Sequence, residues 1–285
     1  MTSRRSFLGR VAGGLAATST LRGMVQAATP GKPPLGLQLW SVRKEAQKDL
    51  PGTLKQVRSW GFEEVEAAGF HGRTPEAFAA EVKNAGLRCH AMHVGFERLG
   101  KDLPAVLKEA DALGVTTLVN PSLPAKSRFA SRDEILAAAA AFAKCAQQCK
   151  AAGKRFAHHT HGQEFGKAPE GTLFDVLAKE SGPDLGFEFD VYWITFGGGD
   201  PLALMDRYAG RVWYTHLKDM RKDVQPGTEA AHREDANVVL GSGRIDIKAI
   251  VAAGRKAGVE IHYIEDESAD PVAHIPQSVA YYQSL

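Results

Sequence analysis

Residues 246–265 read Asp-Ile-Lys-Ala-Ile-Val-Ala-Ala-Gly-Arg-Lys-Ala-Gly-Val-Glu-Ile-His-Tyr-Ile-Glu, which predicts one helix followed by one strand. Asp246 is placed to cap the helix, and Gly258 is placed to end it. The apolar face of this helix carries Ile247, Ile250, Val251 and Gly254 at i, i+3, i+4 and i+7. A β-rich run at 260–265 follows at once. This unit decides the fold because its pattern recurs along the chain.

Eight short β-rich runs alternate with eight amphipathic segments. The predicted strands are 35–40, 64–69, 88–94, 116–120, 155–161, 185–190, 211–216 and 260–265. The predicted helices lie near 51–60, 75–85, 102–113, 132–152, 171–181, 201–209, 246–257 and 271–283. Eight such units over about 250 residues predict an α/β fold, the (β/α)8 TIM barrel. A doubly wound open sheet is the alternative, but no glycine-rich phosphate turn follows the first strand.

The N-terminal segment has the features of an export signal. Residues 3–8 read Ser-Arg-Arg-Ser-Phe-Leu, a weakly apolar run of small residues follows, and 25–28 provide a small-residue cleavage site. The paired arginines resemble a twin-arginine signal. We therefore predict a signal peptide at 1–28, a single barrel domain at 29–285, and a periplasmic or exported location. An ordinary basic tail is the alternative.

Charge and hydropathy exclude two classes of partner. Removing the four arginines of residues 1–28 from the net charge of +2 leaves −2 for the remainder. This acidic remainder has no cluster of lysine and arginine, so we expect no nucleic-acid partner. It also has no apolar stretch of 18 residues, so we expect no membrane insertion after signal removal. The sequence leaves open whether the chain forms a homo-oligomer.

Polar residues collect at the carboxyl ends of the predicted strands, where barrel enzymes carry their chemistry. These residues are Glu66, His93, His159, His161, Asp190, His216 and Glu265. Alternation along strand six places Phe187 and Phe189 on one face and Glu188 and Asp190 on the other. If the aromatic rings lie beneath the helices, Asp190 points into the barrel mouth. Carboxylates and imidazoles converging there suit one divalent ion, Mg²⁺, Mn²⁺, Co²⁺ or Zn²⁺.

Four segments carry a resemblance to a known family. They are Gly36-Leu-Gln-Leu-Trp-Ser-Val-Arg43, Phe189-Asp-Val-Tyr-Trp193, His216-Leu-Lys-Asp219 and Ile264-Glu-Asp266. In these segments the chain resembles the xylose-isomerase-like barrels, the sugar phosphate isomerase/epimerase group related to inosose dehydratases and ketose 3-epimerases. The resemblance implies four metal ligands: His159, Asp190, His216 and Glu265. The first of these positions is commonly glutamate in the epimerases, so a two-glutamate epimerase mechanism is in doubt.

The chemistry expected of such a site begins with loss of a proton next to a carbonyl. The candidate bases are Glu265, His161 and Glu66, and Lys218 is placed to stabilise the developing oxyanion. His93, Trp40 and Trp193 are the candidate substrate contacts. Each candidate also has a structural alternative. Glu66 and His93 are then polar residues of the barrel mouth that hydrogen-bond to their neighbours, and His161 orients a metal ligand. Lys218 pairs with Asp219, and the two tryptophans pack against helices.

Three functions follow for a small-molecule sugar or keto-sugar. The first is a metal-dependent isomerase or epimerase. The second is a lyase or hydratase acting on keto-sugars such as 3-keto-glycosides, favoured by His159 and by the lack of a phosphate cradle. The third is a non-catalytic sugar-binding barrel, which has no need of a complete ligand set.

Overall fold

The computed structural model describes residues 32–123 and 130–285, so the predicted signal peptide lies outside the described residues. Eight parallel strands close into a barrel, which confirms the (β/α)8 fold and excludes the open sheet. They are β1 Leu35–Gln38, β2 Glu64–Ala67, β3 Arg88–His93, β4 Thr117–Asn120, β5 Arg155–His159, β6 Leu185–Asp190, β7 Val212–Leu217 and β8 Ile261–Ile264. The ring closes where β1 pairs with β8, Leu35 opposite His262.

Ten α-helices lie in the described part of the chain. They are α1 Arg43–Lys48, α2 Leu50–Ser59, α3 Pro75–Asn84, α4 Phe96–Leu113, α5 Arg132–Ala151, α6 Leu173–Glu180, α7 Val191–Gly197, α8 Pro201–Arg207, α9 Ile247–Ala257 and α10 Pro271–Ser284. None of those described has the length and apolarity needed to cross a membrane. The unit at 246–265 forms as predicted, because the Asp246 carboxylate accepts a hydrogen bond from the Ala249 N–H at 2.9 Å.

Among the predicted boundaries that differ from the structure, two matter most for the site. The first strand ends at Gln38 instead of residue 40, because the Gln38 side chain accepts the N–H of Trp40 at 3.1 Å and starts a short 3₁₀ helix, Leu39–Val42. Helix α4 begins at Phe96, six residues before the predicted start, and is kinked at Asp102. Both differences lie next to the barrel mouth.

The interior of the barrel and the layer beneath the helices form two separate apolar clusters. Small and aromatic side chains fill the interior: Ala91, Val119, Ala157, Tyr214, Ile261 and Tyr263. A Cβ on Gly36 would lie 2.5 Å from the Tyr263 ring, so this strand position has room only for glycine. Beneath the helices, Phe187 and Phe189 pack against Phe174 of α6, with ring centroids 4.9 and 5.5 Å away. The alternation predicted for β6 is therefore correct.

Phe174→Ala is expected to lower the free energy of unfolding by about 3–5 kcal/mol, because it leaves a cavity among packed rings. Phe174 is fully buried and also contacts Phe165 and Tyr208. Urea denaturation followed by circular dichroism measures the change. Leu202→Ala on α8, where the leucine is 37% exposed, is the control and should change stability by no more than about 0.5 kcal/mol. Equal effects of the two variants would contradict this packing.

The segment between β7 and α9 forms a wall of the mouth. Residues Asp219–Met220 and Asn237–Val238 pair as a short antiparallel ladder that ties its two ends together. Between them, the Tyr192 hydroxyl donates a hydrogen bond to the carbonyl of Ala231 at 2.6 Å. This long polar segment is thus anchored at its ends and in its middle.

Candidate active site

A cavity of about 330 Å³ opens at the carboxyl ends of the strands. Its lining is Trp40, Ala68, His93, Pro121, His159, His161, Glu265 and Glu267. Five of the residues predicted from strand ends or their neighbours therefore meet here. Lys218 and Trp193 line an adjacent cavity of about 310 Å³, and Glu66 lies fully buried beneath the first cavity.

The four residues implied as metal ligands lie together. One ligand atom from each of His159, Asp190, His216 and Glu265 lies within 4.8 Å of the others. The His159 Nδ1 atom contacts a carboxylate oxygen of Glu188 at 3.0 Å, which leaves Nε2 for a ligand. The His216 Nδ1 atom faces Glu265 Oε2 at 3.3 Å and Asp190 Oδ2 at 4.0 Å.

The charges and unpartnered atoms of this group fit a divalent cation. Asp190 Oδ2 is buried and has no hydrogen-bond partner among residues 32–123 and 130–285. Burial, together with the charge of Glu265, raises the pKa of Asp190 to about 7, although Lys218 and His216 act against this. Around it the described residues place the buried carboxylates of Glu66, Glu188, Asp190 and Glu265 beside one buried ammonium, that of Lys218. The imidazoles of His93 and His216, whose pKa values are raised, carry part of the balancing positive charge, and a divalent cation would supply the rest.

Glu188 is a site residue that the sequence analysis did not select. Its Oε2 atom lies 2.9 Å from His93 Nε2, 3.0 Å from His159 Nδ1 and 3.2 Å from His216 Nε2. Burial would raise the pKa of Glu188, but His216 and the other two imidazoles hold it well below its usual value. The signal was present, because alternation placed Glu188 on the same face of the strand as Asp190.

Three histidines of the site, His93, His216 and His161, differ in protonation. Burial alone would lower the pKa of His93, but Glu66 and Glu188 outweigh it and raise that pKa to about 10. The pKa of His216 is raised well above its usual value because its carboxylate neighbours, Glu188 first, outweigh burial. Burial and the nearby Lys218 lower the pKa of His161. At neutral pH His93 is therefore cationic and His161 neutral.

His161 follows β5, and its ring is held in one orientation by Pro121 in the segment after β4. Its Nδ1 atom lies 2.7 Å from the carbonyl oxygen of Pro121, so this nitrogen carries the proton and Nε2 keeps a free lone pair. Its backbone N–H lies 3.3 Å from a carboxylate oxygen of Glu164. Glu164 is itself buried and contacts His158 Nε2 at 2.7 Å, behind the strand. The pair of Glu164 and His158 fixes the loop that carries His161.

Lys218 lies beside the predicted ligands and makes no pair with Asp219. Its Nζ atom donates to Glu265 Oε2 at 3.1 Å and contacts Glu267 Oε2, and it lies 3.9 Å from Asp190 Oδ2. Burial opposes its charge, but these carboxylates, Glu265 first, raise the pKa of Lys218. Asp219 instead accepts the backbone N–H groups of Met220, Gly241, Gly243 and Ile245. The alternative pairing of Lys218 with Asp219 is wrong.

A family model described as "Xylose isomerase-like TIM barrel" matches residues 54–285, which include every strand of the site except β1. The chain belongs to the xylose isomerase-like TIM barrel family. The predicted resemblance is confirmed at this level.

Individual members of the xylose isomerase-like TIM barrel family give a more limited comparison. An inosose dehydratase of Geobacillus kaustophilus is 29% identical over 148 residues, 48% of this chain and 46% of that protein. This chain therefore spans less than half the length of that curated relative. A solved sugar phosphate isomerase/epimerase of Parabacteroides distasonis shares the fold at a TM-score of 0.72 and 24% identity, over 91% of this chain and 96% of that one. The IOLI protein with a bound zinc atom has a TM-score of 0.70 and 14% identity, over 88% and 95% of the two chains.

The two predicted tryptophan contacts have different environments in this xylose isomerase-like barrel. Trp40 is 44% exposed on the rim of the first cavity, where the Arg43 guanidinium lies 4.4 Å from its ring and Nε1 donates to Glu267 at 3.3 Å. Trp193 is mostly buried and packs against Phe196 and His161. Of the two, only Trp40 lines the cavity that contains His159 and Glu265.

Trp40→Ala is expected to raise KM for the substrate about tenfold and leave kcat nearly unchanged, because one aromatic contact is worth about 0.5–1.5 kcal/mol. Steady-state kinetics measures both constants. Trp40→Phe keeps a ring on the rim and should lie between the wild type and the alanine variant. An unchanged KM in Trp40→Ala would show that the ring does not bind substrate.

Proposed function

We propose that this protein is an enzyme that uses one divalent metal ion to remove a proton next to the carbonyl of a sugar or keto-sugar, in an isomerisation or epimerisation. The observation that carries the proposal is the convergence of four ligand residues from four successive strands, with an unpartnered Asp190 oxygen, beside a cavity of sugar size. The zinc atom in the IOLI protein and the family membership support it.

His159, Asp190, His216 and Glu265 would hold the ion. When bound, the ion acts as a Lewis acid that stabilises negative charge developing on the substrate oxygens. The free Nε2 lone pair of His161 makes this side chain our choice of base among the three predicted, because it lines the cavity and Glu66 does not. Glu265 is already engaged by Lys218 and His216. The Lys218 ammonium supplies a further positive charge at the ligand group.

A dehydratase or other lyase is the second candidate, and the arrangement of His93 and His161 favours it. Both imidazoles line the cavity, and they belong to different strands, β3 and the loop after β5. One imidazole removes a proton from the substrate while the other protonates the leaving hydroxyl or alkoxide. An elimination needs both a base and an acid of this kind. The inosose dehydratase relative and the histidine at position 159 support this candidate. A purely sugar-binding barrel is disfavoured because it has no use for a complete set of four ligand residues.

Incubation of the metal-loaded chain in D2O with ketoses, aldoses and 3-keto-glycosides, followed by NMR, tests the proposal. Deuterium incorporation with a new epimer or isomer supports isomerisation. Release of water or an aglycone supports the lyase. Removal of the ion with a chelator is expected to abolish either reaction, and addition of Mn²⁺, Co²⁺ or Zn²⁺ to restore it. A ligand that binds without any exchange or product contradicts both enzyme candidates.

We propose also that residues 1–28 direct export by the twin-arginine route, which is a separate question from the chemistry. A reporter fused to this segment should appear in the periplasm, and changing Arg4 and Arg5 to lysine should keep it inside the cell. Export unaffected by these two substitutions would contradict the assignment.

A further inference from the structure

A third cavity, of about 400 Å³, lies next to the first cavity, and His161 lines both of them. Three parts of the chain form its walls: the loop after β5, helix α7, and the segment between β7 and α9. Besides His161, the side chains that they contribute are Gln163, Trp193, Phe196, Thr228 and His232. None of these five lines the first cavity, so the third cavity extends the site past His161.

Close backbone packing fixes the walls of the third cavity. A Cβ on Gly162 would lie 2.7 Å from the carbonyl oxygen of Trp193, and a Cβ on Gly197 would lie 2.6 Å from the carbonyl oxygen of Gly162. The loop after β5 and helix α7 therefore touch backbone to backbone. On the opposite side, the hydrogen bond from Tyr192 to Ala231 holds the segment between β7 and α9. A cavity that is already formed spends less of the binding energy on ordering its walls.

Aromatic rings form much of the surface of the third cavity. The Trp193 and Phe196 rings meet edge to face, with centroids 5.3 Å apart. The His232 ring lies 4.4 Å from the Phe196 ring and 5.2 Å from the Trp193 ring. Aromatic walls with a few polar groups are the usual lining of a small-molecule site, and they favour a ligand with a flat face.

Two polar atoms on these walls lack partners. Trp193 Nε1 and Gln163 Oε1 are both buried and have no hydrogen-bond partner among residues 32–123 and 130–285. The indole N–H can only donate, and the amide oxygen can only accept. Leaving both unpaired away from water is costly, even though Trp193 as a whole is only 8% exposed. A ligand with hydroxyl groups supplies both the acceptor and the donor that these side chains lack.

We propose that the third cavity binds a second, hydroxylated ring that is joined to the reacting sugar, so that the substrate is a two-ring glycoside. This inference rests on the proposed function, which puts the reacting sugar in the first cavity, and it adds the class of substrate. The two cavities have similar volumes, about 330 and 400 Å³, so each has room for one ring. The bond between the rings passes His161, because this residue belongs to both linings.

The affinities of three glucosides that share the same first ring test this inference. Methyl β-glucoside has no second ring, phenyl β-glucoside has one without hydroxyl groups, and methyl β-cellobioside has one with them. None of the three has a carbonyl group, so calorimetric titration of the metal-loaded chain measures binding without turnover. We expect methyl β-cellobioside to bind about tenfold or more tightly than methyl β-glucoside, with phenyl β-glucoside between them.

Variants of the cavity walls locate the second ring. Thr228→Tyr adds a bulky ring to the lining and should remove the preference for two rings, while the affinity for methyl β-glucoside stays unchanged. Gln225→Tyr is the matched control, because Gln225 is exposed on the same segment and outside this lining, and it should keep the preference. Gln163→Leu should weaken the binding of methyl β-cellobioside several-fold and spare phenyl β-glucoside, since only the hydroxylated ring loses a partner. Circular dichroism establishes that each variant is folded.

Several results would overturn the second-ring site. These are equal affinities for the three glucosides, no binding of any of them, tightest binding of phenyl β-glucoside, or an unchanged preference in both Thr228→Tyr and Gln163→Leu. Deuterium exchange on one-ring keto-sugars together with equal affinities would overturn this site and leave the proposed function intact. The expected preference without exchange on any keto-sugar would support the site and contradict the proposed function.

Discussion

Asp190→Asn is expected to lower kcat/KM by about a thousandfold or more, because loss of the ion removes several kcal/mol of transition-state stabilisation. The substitution keeps the shape of the side chain, and its remaining carbonyl oxygen still accepts the Trp193 N–H now bonded to Asp190 Oδ1 at 2.9 Å. The amide nitrogen that takes the place of Oδ2 has no lone pair to offer a metal. The D2O exchange assay gives the rate, and elemental analysis gives the metal content.

Asp200→Asn is the control for this change. Asp200 caps helix α8 through the N–H groups of Leu202 and Ala203, ten residues after Asp190 and away from the cavity lining. Asparagine is an equally good cap, so this variant should differ from the wild type by less than about twofold. An Asp190→Asn protein that keeps both its metal and its full activity would show that the ligand assignment is wrong.

His161→Gln is expected to lower kcat by about 10²–10⁴-fold with a much smaller change in KM, because the variant has no base in reach of the substrate. Its metal content should equal that of the wild type, since His161 is held by Pro121 and is not among the four predicted ligands. Parallel measurements of exchange rate and metal content therefore separate a base from a ligand.

Two outcomes would contradict the role of His161. Loss of metal together with activity would make it a ligand, and an unchanged kcat would leave Glu265 or another group as the base. His90→Gln is a suitable control because it also removes a histidine from the barrel but lies outside the cavity lining, and its activity should stay at the wild-type level.

Helix α7 shows where prediction of the fold from sequence stops. The eight strands and eight principal helices are visible in the sequence because hydrophobic periodicity marks each one. Residues 191–197, Val-Tyr-Trp-Ile-Thr-Phe-Gly, are mostly β-branched or aromatic and have low intrinsic helix propensity. The helix forms because the Asp190 side chain caps it and Phe196 and Gly197 are buried. This helix is therefore a result of tertiary context.

Within the candidate site, alternation along the strands was sufficient to predict which residues face inward. It placed Asp190 on the same face of β6 as Glu188. It could not predict which inward residues contact each other, because that depends on side-chain rotamers and on the stagger between strands. The two-sided contacts of His216 and the central position of Glu188 are of this kind. The hydrogen bonds that Asp219 accepts from backbone N–H groups also cannot be predicted from the alternation of residues along a strand.

Closure of the ring through β1 and β8 sets the order in which the site can be assembled. Gly36 pairs with Tyr263, 227 positions further along the chain, so this pairing closes one of the longest loops in the described part of the protein. Glu265, a predicted ligand, follows directly on the last strand to leave the ribosome. A nascent chain that already carries His159, Asp190 and His216 still has an incomplete set of donors. Metal capture should therefore report that the barrel is closed.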